Sequence, residues 1–139
     1  MSIQQTDVLY TAVATAENGR DGRVATDDGT LDVIVNPPKE MGGSGTGTNP
    51  EQLFAAGYSA CFQGALAVVA RQEKADITGS TVTAKVGIGK NAGGFGLIVE
   101  ISATIPNTDP TTAQALLAKA HQVCPYSKAT KGNITVTLT

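Results

Sequence analysis

Tryptophan is absent from this sequence, aromatic residues make up only 4% of it, and no run of lysine or arginine occurs along its 139 positions. A nucleic-acid partner ordinarily meets a basic face interleaved with stacking rings, so these absences argue against that class of function. Histidine occurs once, as His121, and cysteine twice, as Cys61 and Cys124. Zinc sites announce themselves through closely paired Cys and His ligands. His121 with Cys124 three positions on, and Cys61 as a distant third, is a thin donor set, and no metal is expected. The first ten residues carry Asp7 and no long apolar run, so neither a secretory signal nor a transit peptide is expected. No stretch is read as reaching the roughly 18 apolar residues of a membrane span. The expected setting is therefore the reducing cytoplasm, with neither membrane nor nucleic acid as partner. In that compartment two cysteines are reactive or inert rather than a structural staple.

What is present suffices for a core. Hydrophobic residues are 41% and charged residues 16% of the chain, a balance that excludes disorder and allows folding without metal or disulfide. Neither a repeat nor a shift in composition divides the sequence, so one domain over 1–139 is expected. Val8, Tyr10, Ala12 and Ala14 alternate with mostly polar neighbours, as do Leu31, Val33 and Val35, and this period of two predicts half-buried strands. Asn18-Gly19, Asp21-Gly22 and Asp28-Gly29 are turn pairs. After a Pro- and Gly-rich loop, Asn49-Pro50-Glu51 reads as a helix start, with Asn49 as cap, Pro50 at the first helical position and Glu51 at the positive end of the dipole. The helix is expected to run to about Lys74. Leu53 to Ala70 carry no charge, which predicts a helix buried on every face. Two long alternating strands, Val82 to Ile88 and Phe95 to Ala103, flank a hairpin turn at Lys90 to Gly94. A second helix starts at Asp109-Pro110 and stops at Cys124, because a residue before proline is driven out of the helical region. A short helix after Pro125 and a last strand through Ile134, Val136 and Leu138 complete an α+β domain of about six strands and two or three helices.

The chemistry rests on few residues. Cys61, in the middle of an apolar helix, reads first as a small buried hydrophobe and only second as a reactive thiol. Cys124 stands at a helix break, where the free N–H groups of a following helix favour a thiolate. A cysteine hydrolase built on Cys61 and His121 would need an orienting group and an oxyanion hole, and nothing marks either. The segment Gly42-Gly43-Ser44-Gly45-Thr46-Gly47 lacks the Gly-Lys-Ser/Thr ending of a P-loop and reads as a connector.

The block Thr48-Asn49-Pro50-Glu51-Gln52-Leu53-Phe54-Ala55-Ala56-Gly57-Tyr58-Ser59-Ala60-Cys61-Phe62 resembles the signature of the organic hydroperoxide resistance branch of the OsmC-like family. Gly19-Arg20-Asp21-Gly22-Arg23, Gly93-Gly94-Phe95-Gly96-Leu97 and Cys124-Pro125-Tyr126-Ser127 match the same family in order, so the resemblance covers nearly the whole chain. It implies an OsmC-like α+β fold of about six mostly antiparallel strands wrapped around two long central helices in an intertwined homodimer. It also implies a thiol peroxidase that reduces alkyl and fatty-acid hydroperoxides, holds no bound cofactor, and is regenerated by the dihydrolipoyl group of a lipoylated protein. By motif, Cys61 matches the peroxidatic cysteine, Cys124 the resolving one, Arg20 the arginine that stabilises the thiolate, and Glu51 the carboxylate that orients that arginine. The rival function on the same fold is a non-catalytic small-molecule binding domain with both thiols idle.

Helix geometry adds one expectation. Ten residues of one helix put Glu51 about 15 Å below Cys61 along the axis and about 80° away in direction. Unless the helix breaks near Gly57, Glu51 and Arg20 most simply serve the Cys61 of a partner chain, and each site is shared.

Overall fold

Three short strands come first: β1 (Ala14–Glu17), β2 (Gly22–Thr26) and β3 (Asp32–Val35). They form an antiparallel meander in the order β1-β2-β3. Asn18 and Gly19 take positive φ, 57° and 56°, and turn the chain out of β1. The Asp21 N–H donates to the Asn18 carbonyl, so Asp21 closes this same turn and Gly22 already opens β2. Across the sheet Arg23 makes a bidentate pair with Asp32, Nε to Oδ1 at 2.7 Å and a terminal nitrogen to Oδ2 at 2.5 Å. Both partners are about half exposed, so the pair fixes register more than it stabilises. The connector that follows makes one 3-10 turn at Lys39–Met41. In this computed structural model, which describes residues 3–139, these elements belong to one compact unit, Met1–Pro50, and the rest to a second, Glu51–Thr139.

The second unit is built on α1 (Pro50–Glu73), as the Asn49-Pro50 start predicts, and ends where Lys74 enters the left-handed region at φ 56°. The long hairpin of β4 (Thr81–Asn91) and β5 (Gly94–Thr104) is paired over its full length. Next come α2 (Pro110–Val123), α3 (Pro125–Thr130) and β6 (Val136–Leu138), which joins β5 in parallel. Asp109 caps α2, its Oδ1 accepting from Thr112 N–H at 2.8 Å. The core joins Tyr58, Phe62, Leu66 and Val69 of α1 to Val99 and Ile101 of β5 and to Leu116, Leu117 and Ala120 of α2. Each large side chain among them stabilises the fold by about 1.5–3 kcal/mol through burial.

Three expectations are corrected. The alternation at Val8 to Ala12 does not make a strand: β1 begins only at Ala14, and Val8, Leu9 and Tyr10 are exposed. An amphipathic strand needs a partner edge, and pairing in this chain stops where the Asp27 N–H donates to the Val13 carbonyl. Second, α1 is long and apolar enough to cross a membrane by length and composition, with mean hydropathy 1.6 over its best window. Ser59, Gln63 and the small residues interrupt the apolar run without adding charge. With Tyr58, Phe62 and Leu66 fully buried in the core of its unit, α1 occupies the position of a core helix. Third, α1 is not buried on every face of the single chain. Gln52, Ala56, Ala60, Gly64 and Val68, each four residues from the next, form an exposed stripe.

Candidate active site

Cys61 projects from the middle of α1 and is half-buried, while Cys124 is fully buried at the break between α2 and α3. Although 63 positions apart in sequence, the two sulfurs stand 3.6 Å from each other, and both are free thiols. A disulfide bond is about 2.0 Å long, so a closing movement of roughly 1.5 Å would join them.

The break that places Cys124 follows from Pro125. With φ -61° and ψ 123° Cys124 leaves the helical region, ends α2, and becomes the N-cap of α3. Its sulfur acts as the capping group and accepts the Ser127 N–H at 3.5 Å. The neighbouring Tyr126 backbone lies near enough to Cys61 for its N–H to favour the thiolate.

Burial pushes the Cys61 thiol above its ordinary pKa, the Tyr126 amide works in the opposite direction, and nearby Cys124 adds to the rise. Desolvation disfavours the anion in this way wherever a thiol leaves water. Since the thiolate is the reactive form of a cysteine, these surroundings alone leave Cys61 mostly protonated at neutral pH, and its alkylation by iodoacetamide should quicken as pH rises toward the raised pKa.

Behind Cys124 lies a cluster of polar side chains. Ser127 Oγ is 2.8 Å from the Tyr58 hydroxyl and 2.7 Å from His121 Nδ1, and the Tyr58 hydroxyl is also 3.2 Å from Thr130 Oγ1. Burial, and secondarily Lys131, holds His121 below the usual imidazole pKa. Its Nδ1 is engaged by Ser127, and nothing in this geometry makes it the base of a cysteine hydrolase. Among the described residues no three His, Cys, Asp or Glu side chains converge where a metal ion could sit.

Phe54, Tyr58 and Tyr126 stack edge-on and tilted, with ring centroids 5.6–6.1 Å apart. Gly57 makes this possible: a Cβ there would lie 2.6 Å from the Tyr126 hydroxyl. Gly57→Ala gains up to about 1 kcal/mol of helix propensity, and the partly exposed Tyr126 ring can swing outward. Thermal melts should therefore show near wild-type stability.

Of the four site residues the sequence suggests, the structure brings Cys61 and Cys124 together. Glu51 lies in the first turn of α1 and is almost fully buried. The helix continues unbroken through Gly57, so the rise of about 15 Å between Glu51 and the Cys61 of its own helix stands. Arg20 follows the Asn18-Gly19 turn in the first unit. The sequence reading assigned no part to Tyr58, Ser127 or Thr130. The available signal was Tyr58, three residues before Cys61 in an uncharged helix, since a buried tyrosine hydroxyl demands a partner.

The family model for OsmC-like proteins matches residues 43–139, a span that holds both cysteines. The organic hydroperoxide resistance protein of Xanthomonas axonopodis pv. citri is 55% identical over 134 residues, covering 95% of this chain and 94% of that protein. This chain belongs to the OsmC-like family, in its organic hydroperoxide resistance branch. The organic hydroperoxide resistance protein OhrB of Bacillus subtilis is 46% identical over 132 residues, 94% of this chain and 96% of that one. The crystal structure of OhrB superposes with a TM-score of 0.86 over 94% of this chain and 98% of its own. An organic hydroperoxide resistance protein from Legionella pneumophila gives a TM-score of 0.91 at 46% identity, covering 95% of this chain and 97% of its own. The OsmC-like α+β fold follows from these likenesses.

Proposed function

We propose that this protein is a thiol peroxidase that reduces organic hydroperoxides to alcohols, with Cys61 as the attacking thiolate and Cys124 as the resolving thiol. The substrate class comes from relatives named for organic hydroperoxide resistance. The observation that carries the mechanism is the pair of free sulfurs 3.6 Å apart on separate elements. The Cys61 thiolate attacks the O–O bond, the alkoxide leaves and takes a proton as the alcohol, and the sulfur becomes a sulfenic acid. The Cys124 sulfur then displaces the hydroxyl, which departs as water with the Cys124 proton, leaving a disulfide that guards Cys61 against irreversible over-oxidation. An external dithiol reduces the disulfide by exchange and becomes a disulfide itself. A dihydrolipoyl group on a partner protein is the reductant of this reading, and no cofactor is bound.

The protein works in this reading as a homodimer in the reducing cytoplasm. Arg20 and Glu51 of the partner subunit face Cys61, the arginine favouring the thiolate and the glutamate orienting the arginine. Three observations support a second chain: the unbroken α1 between Glu51 and Cys61, the exposed stripe along α1, and the exposed Val8, Leu9 and Tyr10.

Steady-state kinetics test substrate and reductant together. The apolar core beside Cys61 favours bulky alkyl chains, so kcat/KM should be higher for cumene or fatty-acid hydroperoxides than for hydrogen peroxide, and dihydrolipoamide should sustain turnover better than thioredoxin. A preference for hydrogen peroxide, or for thioredoxin, would contradict the reading.

A further inference from the structure

The polar cluster of Tyr58, Ser127, His121 and Thr130 has no place in the chemistry above. We infer that it is the positioning device of the resolving sulfur: Tyr58 and His121 hold Ser127 so that the first turn of α3 presents Cys124 to Cys61. The inference rests on the peroxidase reading for its biological meaning but not for its geometry.

Three features carry it. The first is a chain of contacts. Cys61 and Tyr58 lie three residues apart on α1, within one turn of each other. The Tyr58 hydroxyl meets Ser127 Oγ at 2.8 Å, the Ser127 N–H meets Cys124 Sγ at 3.5 Å, and Cys124 Sγ returns to Cys61 Sγ at 3.6 Å. The loop starts and ends on α1, so the resolving sulfur is referenced to the helix that carries its target. The second is burial: Tyr58, Ser127 and Cys124 are each at most 1% exposed. Their hydrogen bonds face little competition from water, and removing one partner leaves the other unsatisfied. The third is the shortness of α3, six residues with Cys124 as cap. So short a helix has little stability of its own and needs an anchor if its first turn is to stay fixed. Ser127 takes that anchor from two sides, from Tyr58 on α1 and from His121 on α2.

Disulfide closure needs Cys124 to advance on the Cys61 sulfenic acid by roughly 1.5 Å along one direction. A resolving thiol free to wander would meet the sulfenic acid less often and leave time for a second peroxide to convert it to the sulfinic acid. The attack of peroxide on Cys61 involves none of the cluster's hydroxyls. Positioning therefore predicts a split: the first oxidation continues at its normal rate while closure slows.

The test compares wild type with Tyr58→Phe, Ser127→Ala and the double variant. The first step is read as the bimolecular rate of Cys61 oxidation by cumene hydroperoxide, the second as the first-order rate of disulfide closure, and the outcome as the share of Cys61 reaching sulfinic acid. Each single variant should slow closure by about tenfold, change the first step by less than about twofold, and raise the sulfinic share. If the two residues act through one network, the double variant should be no slower than the slower single one. Closure is also driven by diamide, a thiol oxidant that needs no peroxidase chemistry. A slow diamide closure in the variants supports the positioning role even where cumene hydroperoxide fails to oxidise wild-type Cys61. Unchanged closure in Tyr58→Phe, the milder replacement, overturns the inference. So does an equal loss in both steps that parallels a fall in melting temperature, since that is what a purely structural role produces.

Discussion

Cys61→Ser should reduce hydroperoxide turnover by at least about a thousandfold, the scale on which removal of a nucleophile acts. A serine hydroxyl is far less acidic than a thiol and stays protonated at neutral pH, and the Cys124 thiol beside this position is no base for it. The fold should persist, because serine is close in size to cysteine and Cys61 is only half-buried. Cys124→Ser should behave differently. It keeps one full attack per active site, seen as a burst of alcohol with one equivalent of peroxide, and then stalls as sulfenic acid. A dimedone adduct on Cys61 in this variant, and its absence in Cys61→Ser, separates the two roles. Equal activity in Cys61→Ser and wild type would remove the thiol from the mechanism.

The second large effect concerns Arg20. Burial raises the Cys61 pKa, so the thiolate needs a compensating cation. A guanidinium about 4 Å from the sulfur supplies on the order of 4 kcal/mol at an effective dielectric near 20, equivalent to about three pH units in the titration. Arg20→Ala should therefore cut the rate at pH 7 by about a hundredfold or more and move the inflection of the pH–rate profile upward. The sign follows from the nucleophile: without the cation the thiol keeps its proton to higher pH, so the loss is largest at low pH and shrinks as the medium becomes alkaline. Because the partner subunit supplies the arginine in this account, mixing inactive Arg20→Ala chains with inactive Cys61→Ser chains should restore one working site per heterodimer. A mixture that stays inactive after verified subunit exchange would show that the sites are not shared.

Much of the second unit was legible because its signals are local. Asn49-Pro50 and Asp109-Pro110 mark the starts of α1 and α2, Cys124-Pro125 the break between α2 and α3, and the alternation of β4 and β5 their pairing. The failures came where the outcome depends on a neighbour that the local pattern does not name. Val8 to Ala12 have the alternation of a strand but no partner edge among the described residues, and α1 carries no charge from Leu53 to Ala70 yet packs only part of itself within one chain. The meeting of Cys61 and Cys124 was likewise beyond pattern reading. They stand sixty-three positions apart, with hairpin and helix between, and no local period reports such a contact; it is implied by the family resemblance alone. The parallel pairing of β6 with β5 was out of reach for the same reason.

The most direct measurement is non-reducing peptide mapping by mass spectrometry after one equivalent of cumene hydroperoxide is added to the reduced protein. The account predicts one intrachain linkage, joining the peptide of Cys61 to that of Cys124 with the loss of two hydrogens, and its reversal by dihydrolipoamide. Finding the peroxide consumed while both thiols remain free, or finding disulfides only between chains, would contradict it.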